Sequence, residues 1–388
     1  MIKSVKAITA SSYLSMFFLG VSASLLGAAA RNIGLSPSQI GLLIAAQNLG
    51  FILSVSVSGA LSDTHEKPKI LLAGSLILAF SFFTFYLSEL FWINLLLIFS
   101  IGAGTATYEG VTDAMLLDIH TQRENLHINV NHFFVTLGST MITLYLIFLQ
   151  MNWRRYIVQS WIVVLLLAAF FALTKLENKR NRAGRYLERF QILRRERVVV
   201  VLFIATALAV GVELGSIGIL TTFLMELRGF SQVTSKIGLV LFLTGMATGR
   251  LFVGFFTQKE QISQVILGLF GLSSLVFTGL YFLNLAELTY IAIYFAGLTL
   301  SALLPLMITL AGLRYKDMAG TVLGIIKVAA GLGGVLIPFF MSLIAKYLSL
   351  QVSLLLFPAA FLLAFFMLFL EIRHIKSCEP APAMEPAN

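Results

Sequence analysis

Charge is what this sequence has least of. Only 12% of its 388 residues are Asp, Glu, Lys or Arg, while 58% are hydrophobic and the mean hydropathy is +0.92. An ordinary soluble domain carries about 25% charge. A soluble chain this apolar would expose much of its oily surface to water, so a bilayer is the solvent that suits it. Cysteine is almost missing: Cys378 is alone, which excludes an intrachain disulfide. A Gly-rich phosphate loop of the Walker type is absent, so nucleotide hydrolysis is not expected to drive the protein. Neither a Cys/His metal cluster nor a nucleophile–base constellation appears, so no metal, no cofactor and no enzymatic activity are expected. No long polar stretch remains for a separate soluble domain.

What is present is a series of apolar runs. About 20 residues cross roughly 30 Å of hydrocarbon, and the chain divides into twelve such runs. They lie at about 8–30, 38–61, 70–88, 92–117, 127–150, 155–174, 198–226, 233–256, 262–283, 288–312, 320–345 and 350–372. Lys3 and Lys6 followed by a run to Ala28, Ala29 and Ala30 resemble a secretory signal. The run is too long for a signal core and another follows at once, so it reads as a first transmembrane helix. The net charge of +9 does not point to nucleic acid, because the basic residues sit in loops. About 19 Lys and Arg fall at the two ends and in the even-numbered loops, and about six fall in the opposite loops. That imbalance places both termini in the cytoplasm, in the cell (inner) membrane.

The longest connector, 175–197, carries Lys179, Arg180, Arg182, Arg185, Arg189, Arg194 and Arg195. It divides the chain into a six-helix bundle at 1–174 and a second at 198–375. A Pro- and Ala-rich segment at 376–388 reads as a disordered cytoplasmic tail. The linker reads as a topogenic charge cluster or as a surface segment touching anionic lipid heads. The halves echo each other: Gly34-Leu35-Ser36 precedes Ile40-Gly41-Leu42, and Gly229-Phe230-Ser231 precedes Ile237-Gly238-Leu239. Internal repeats suit a transporter whose substrate sits between two rocking halves.

The loop Gly59-Ala60-Leu61-Ser62-Asp63-Thr64-His65-Glu66-Lys67-Pro68-Lys69 resembles the signature between the second and third helices of the major facilitator superfamily. That signature is a Gly, an Asp three to four residues on, then basic residues. Thr64 and His65 stand where the family more often has Arg and Gly. In a gating role, Gly59 would permit close helix packing and Asp63 would pair with a cation or a helix N-terminus. A narrower resemblance, to the fucose–galactose–proton symporter branch, runs through four spans. It rests on Gly102-Ala103-Gly104 with Glu109-Gly110-Val111-Thr112-Asp113, on Ile128-Asn129-Val130-Asn131-His132-Phe133-Phe134, on Gly211-Val212-Glu213-Leu214-Gly215-Ser216, and on Gly249-Arg250-Leu251-Phe252-Val253-Gly254. Asp113 stands where the branch usually has Asn, and small Ala28 lies near the place of an acidic residue found in the branch's first helix. The resemblance implies an all-α membrane protein of twelve helices in two pseudo-symmetric bundles, working as a monomer. It implies that the first, fourth, seventh and tenth helices line the cavity, and it places Glu109 on the branch's proton-coupling Glu.

An ionisable group within hydrocarbon is a candidate for function by default. Glu109 and Asp113, four residues apart, share one helical face. In low dielectric they repel, so one of them is expected to hold a proton near neutral pH. Asp113 can alternatively form an ion pair with Arg250 or Lys327. Glu213, Lys327, Asn131, His132, Tyr108 and Tyr294 are candidates for substrate contact, and Gly59, Asp63 and Arg250 for gating. Asn129, Asn131 and His132 can also serve as interhelical glue. Tyr290, Tyr294 and Phe295 suit either sugar stacking or an interfacial belt, and Pro305 can loosen the tenth helix. The expected partners are a small-molecule solute, a coupling ion and the lipid bilayer. The expected function is proton-coupled symport of a small polar solute such as a sugar, by alternating access. The alternatives are a carrier of organic anions with Lys327 as counter-charge, and a non-transporting membrane sensor.

Overall fold

The computed structural model describes residues 3–34, 37–148, 152–176 and 186–375. The expected tail at 376–388 and the linker residues Lys179, Arg180, Arg182 and Arg185 lie outside the described residues. Every long element is helical, as hydrocarbon demands of backbone amides that have no water to bond. The helices are α1 (Val5–Ile33), α2 (Pro37–Ser62), α3 (Lys67–Thr84), α4 (Phe91–Ile119), α5 (Glu124–Phe148), α6 (Trp153–Leu173) and α7 (Tyr186–Leu193). They continue as α8 (Arg197–Arg228), α9 (Gln232–Phe256), α10 (Ile262–Phe282), α11 (Thr289–Leu300), α12 (Leu303–Arg314), α13 (Ala319–Tyr347), α14 (Leu350–Ser353) and α15 (Leu356–Ile375). Among the described residues, 11 segments are long and apolar enough to cross a bilayer. The pair α11–α12 makes one such segment, and α14 joins α15 in another. Helix α5 is not among the 11.

Two helix ends differ from the sequence expectation for identifiable reasons. The third span was expected to reach residue 88, but α3 stops at Thr84. Arg154 at the start of α6 donates to the carbonyls of Phe83 and Phe85, which are free acceptors at the end of α3. Tyr86 then takes a positive φ of 55°, held by its N–H donating to Asn94 Oδ1 at 2.7 Å. The tenth span, expected as one helix, breaks after Leu300. Pro305 lacks an N–H, so the Ser301 carbonyl has no helical donor four residues on. Arg250 Nε takes that place, donating to Ser301 O at 3.1 Å.

The chain forms two compact units. The first comprises Met1–Thr121, Asn131–Phe190 and Asp317–Val328; the second comprises Gln122–Val130, Gln191–Lys316 and Ala329–Asn388. In the first unit α2 lies along α4 and α3 along α6. The α2–α4 backbones approach so closely that a Cβ on Gly50 would stand 2.1 Å from Phe99 O, and one on Gly102 would stand 2.0 Å from Gln47 O. In the second unit α9 lies along α11 and α10 along α15. A Cβ on Gly245 would stand 2.1 Å from Tyr294 O, and one on Gly297 would stand 2.1 Å from Phe242 O. Small residues bring membrane helices together in this way because hydrocarbon offers no hydrophobic drive to do so.

Each unit exposes apolar side chains and buries hydroxyls within a largely apolar core. Phe80, Trp92, Leu96, Phe255, Leu275 and Leu370 are exposed, while Ser12, Ser15, Thr112 and Thr309 are buried. Those buried hydroxyls bond carbonyls one turn back in their own helices, as Thr112 Oγ1 does to Tyr108 O at 2.7 Å. This gives each hydroxyl proton an acceptor within its own helix.

Candidate functional site

Within the first unit, α4 is buried without interruption from Gly104 to Leu116. Its helical period sets Glu109 and Asp113 one turn apart on one face. The start of α13 belongs to the same unit and brings Lys327, whose side chain is fully buried. Lys327 Nζ donates to Asp113 Oδ2 at 2.5 Å and to the Glu109 carbonyl, and it lies 3.6 Å from Glu109 Oε1. The first turns of α5 in this unit supply two more groups. Asn131 Nδ2 donates to Asp113 Oδ1 at 2.7 Å and to Thr112 Oγ1 at 3.0 Å. His132 Nε2 lies 3.2 Å from Asp113 Oδ2. Asn131 Oδ1 is buried and has no hydrogen-bond partner among the described residues.

The structure therefore gathers five expected site residues into one cluster: Glu109, Asp113, Asn131, His132 and Lys327. It holds two carboxylates against one ammonium, with an imidazole that can take either charge state. Glu109, Asp113 and His132 place ligand atoms within 4.8 Å of one another, a grouping with the chemistry to hold a cation. Lys327 Nζ is a cation already in contact with both acidic residues. Tyr108, one residue from Glu109, points to α3, where its hydroxyl meets Ser75 Oγ at 2.8 Å.

The second unit carries its own buried pair. Arg250 on α9 donates through Nη2 to Glu213 Oε1 on α8 at 3.0 Å. The same guanidinium covers the Ser301 carbonyl exposed by Pro305, so it joins α8, α9 and the α11–α12 break. Of the two basic residues weighed as partners for Asp113, Lys327 makes that contact, while Arg250 is engaged with Glu213. Tyr294 meets Thr248 Oγ1 at 2.8 Å. Asn129 donates to Asn125, whose own amide caps α9 at the carbonyls of Val253 and Thr257.

Asp63 is also in the first unit, one residue past α2. Its Oδ1 accepts from Gly320 N at 2.7 Å; its Oδ2 accepts from Thr321 N at 2.9 Å, Thr321 Oγ1 at 2.5 Å and Arg189 Nη1 at 2.7 Å. The carboxylate thus takes two of the orphan N–H groups that open α13, where the helix dipole favours negative charge. Burial pushes the Asp63 carboxyl up; the Thr321 hydroxyl and amide, the Gly320 amide and the Arg189 charge pull it back. Gly59 lies against Gly320 and Gly324, and a Cβ there would stand 2.5 Å from Gly320 O. Sequence reasoning named Gly59 and Asp63 but missed Gly320, Thr321 and Arg189. The sequence signals for them were Arg189 among the basic residues of the linker and Thr321 beside a glycine at the start of an apolar run. Asp63→Asn puts an amide N–H against donors and should lower stability in detergent by about 3 kcal/mol, the scale for breaking a buried pair. Thermal unfolding of the purified variant checks this, and an unchanged midpoint would rule out the contact as a structural tie.

The family model of the Major Facilitator Superfamily matches residues 7–338, and the chain belongs to that superfamily. It is accordingly a multi-pass membrane transporter and not an enzyme. A search of the curated proteins finds no match. Among solved structures, the E. coli fucose:proton symporter is similar with a TM-score of 0.79 and 15% identity, covering 94% of this chain and 98% of that one. The human organic anion transporter TETRAN is similar with a TM-score of 0.77 and 16% identity, covering 94% and 99%. The proton:xylose symporter XylE is similar with a TM-score of 0.72 and 13% identity, covering 93% and 94%. At these identities the likeness is one of fold.

Proposed function

We propose that this protein is a proton-coupled symporter of a small polar solute, with a sugar as the favoured class, working by alternating access. The observation that carries the reading is the charge balance of the buried α4 cluster. Glu109 and Asp113 together with Lys327 leave one uncompensated negative charge, and a single proton neutralises it. In low dielectric the neutral state is strongly favoured, so the cluster is suited to load and release one proton. Glu109 is the proton site, Asp113 and Lys327 form its fixed partner pair, and His132 lies on the path to it. The unpartnered Asn131 Oδ1 suits a hydroxyl donor on the solute, because a buried acceptor without a partner is costly. An organic-anion carrier with Lys327 as counter-charge has less support, since that ammonium already rests on Asp113 and on the Glu109 carbonyl.

The same reading takes α5 as the fifth of twelve spans and the chain as two pseudo-symmetric halves. Supporting it, the pairing of α2 with α4 and α3 with α6 recurs six spans later as α9 with α11 and α10 with α15. The Gly34 and Gly229 turns also share a positive φ, 81° and 70°. Domain limits at 1–174 and 198–375, cytoplasmic termini in the cell membrane, and a monomeric state complete the proposal.

The test is solute-induced pH change in proteoliposomes across neutral sugars, polyols and organic acids. Alkalinisation outside the vesicles with a neutral solute is the expected result. Movement of an organic acid with no response to any neutral solute would reject the sugar class. Solute movement without proton movement would reject the coupling.

A further inference from the structure

A cavity of about 380 Å³ in the second unit is lined by Arg195, Glu196, Arg197, Val198, Arg314 and Glu371. None of these residues belongs to the clusters described above. They come from the start of α8, the end of α12 and the end of α15, so the cavity lies where spans end and water begins. Its charges are of both signs, three guanidiniums and two carboxylates. Tyr315 donates its hydroxyl to Glu196 Oε2 at 3.3 Å, and the Arg314 guanidinium carbon stands 5.9 Å from the centre of the Tyr315 ring. The carboxylate and guanidinium on that side are thereby positioned before any ligand arrives. Glu371 Oε2 is buried and has no hydrogen-bond partner among the described residues. A carboxylate oxygen in that state calls for an N–H or O–H donor.

We propose that this cavity binds the headgroup of an ethanolamine phospholipid, with its phosphate on the arginines and its ammonium on Glu371. The phosphodiester matches the guanidinium forks, and the primary ammonium supplies the donor that Glu371 Oε2 lacks. A choline headgroup has the same charge but no N–H to give, and a glycerol headgroup has no cation for the carboxylates. The surrounding surface favours a lipid over a soluble phosphate compound. Leu370 and Phe369, beside Glu371, are 77% and 55% exposed, and Val200 on α8 is also exposed. Acyl chains therefore have apolar surface directly below the headgroup site.

The experiment uses the full chain, purified and delipidated in detergent, with retention of added lipid read by native mass spectrometry. Dioleoyl lipids carrying ethanolamine, its mono-, di- and trimethylated forms, and glycerol are compared. Retention of the ethanolamine lipid should exceed that of the choline lipid about tenfold, the scale of one charge-assisted hydrogen bond. It should fall most at the last methylation, where the final N–H is lost. Glu371→Gln should bring the ethanolamine lipid down toward choline, and Arg314→Gln should weaken all the phospholipids. Equal retention across the methylation series overturns the proposal without requiring any variant to fold. Displacement of the lipid by glycerophosphoethanolamine at matching concentration overturns the lipid assignment and gives the site to a soluble ligand.

Discussion

Lys327→Met should destabilise the protein by roughly 3–5 kcal/mol, the range for removing one partner from a buried ion pair. The side chain is fully buried, and its ammonium is the counter-charge for Asp113 at 2.5 Å. Without it, Asp113 keeps, among the described residues, the amide of Asn131 and His132, and a second carboxylate stands one turn away. Removing both charges should be far milder. The double variant Asp113→Asn with Lys327→Met leaves hydrogen-bonding and apolar groups of similar size, and pair deletion is often close to neutral. A double-mutant cycle on thermal unfolding in detergent isolates the interaction. If the two single losses simply add, the pair is not the structural element described here.

Glu109→Gln should remove solute-driven proton uptake to background while leaving solute exchange across the membrane intact. Glutamine keeps the size and hydrogen-bonding capacity of a protonated glutamate, and it cannot release a proton. The variant should therefore resemble the loaded transporter: able to bind and carry solute in equilibrative counterflow, unable to concentrate it against a proton gradient. Its exchange rate should also lose pH dependence over the range where the native protein shows it. A variant that still alkalinises the medium with solute would remove Glu109 from the coupling role. A variant that neither binds nor exchanges solute would show Glu109 to be a substrate contact. Asp113→Asn is a useful contrast, because it leaves Lys327 without its closest counter-charge and should cost stability as well as transport.

Much of this was legible in the sequence because membrane chains obey few rules strictly. Low charge, runs of about 20 apolar residues and the bias of Lys and Arg toward alternate loops place the spans without reference to any contact. The acidic residues of α4 stood out for the same reason, since an ionised group in hydrocarbon is rarely incidental. The motif from Gly59 to Lys69 identified Asp63 and the chemistry it would seek. Its partners were not legible, because Gly320 and Thr321 are ordinary residues until their N–H groups are seen to open a buried helix. Pro305 announced a disturbance, but the compensation by Arg250 depends on α9 lying beside α11.

The sequence by itself determined that this is an all-helical membrane protein and which of its spans carry charge. Those properties follow from composition and local chain geometry, which act over a few turns. Only the tertiary structure decided which charge meets which. Lys327 and Asp113 are separated by 214 positions, and Arg250 and Glu213 by 37. In each case two basic and several acidic candidates were chemically equivalent on paper. The choice was made by close backbone approach at glycines, Gly59 to Gly320 and Gly245 to the main chain of Tyr294, which sets helix spacing. In low dielectric that spacing determines which pairs are neutralised and where one negative charge is left to take a proton.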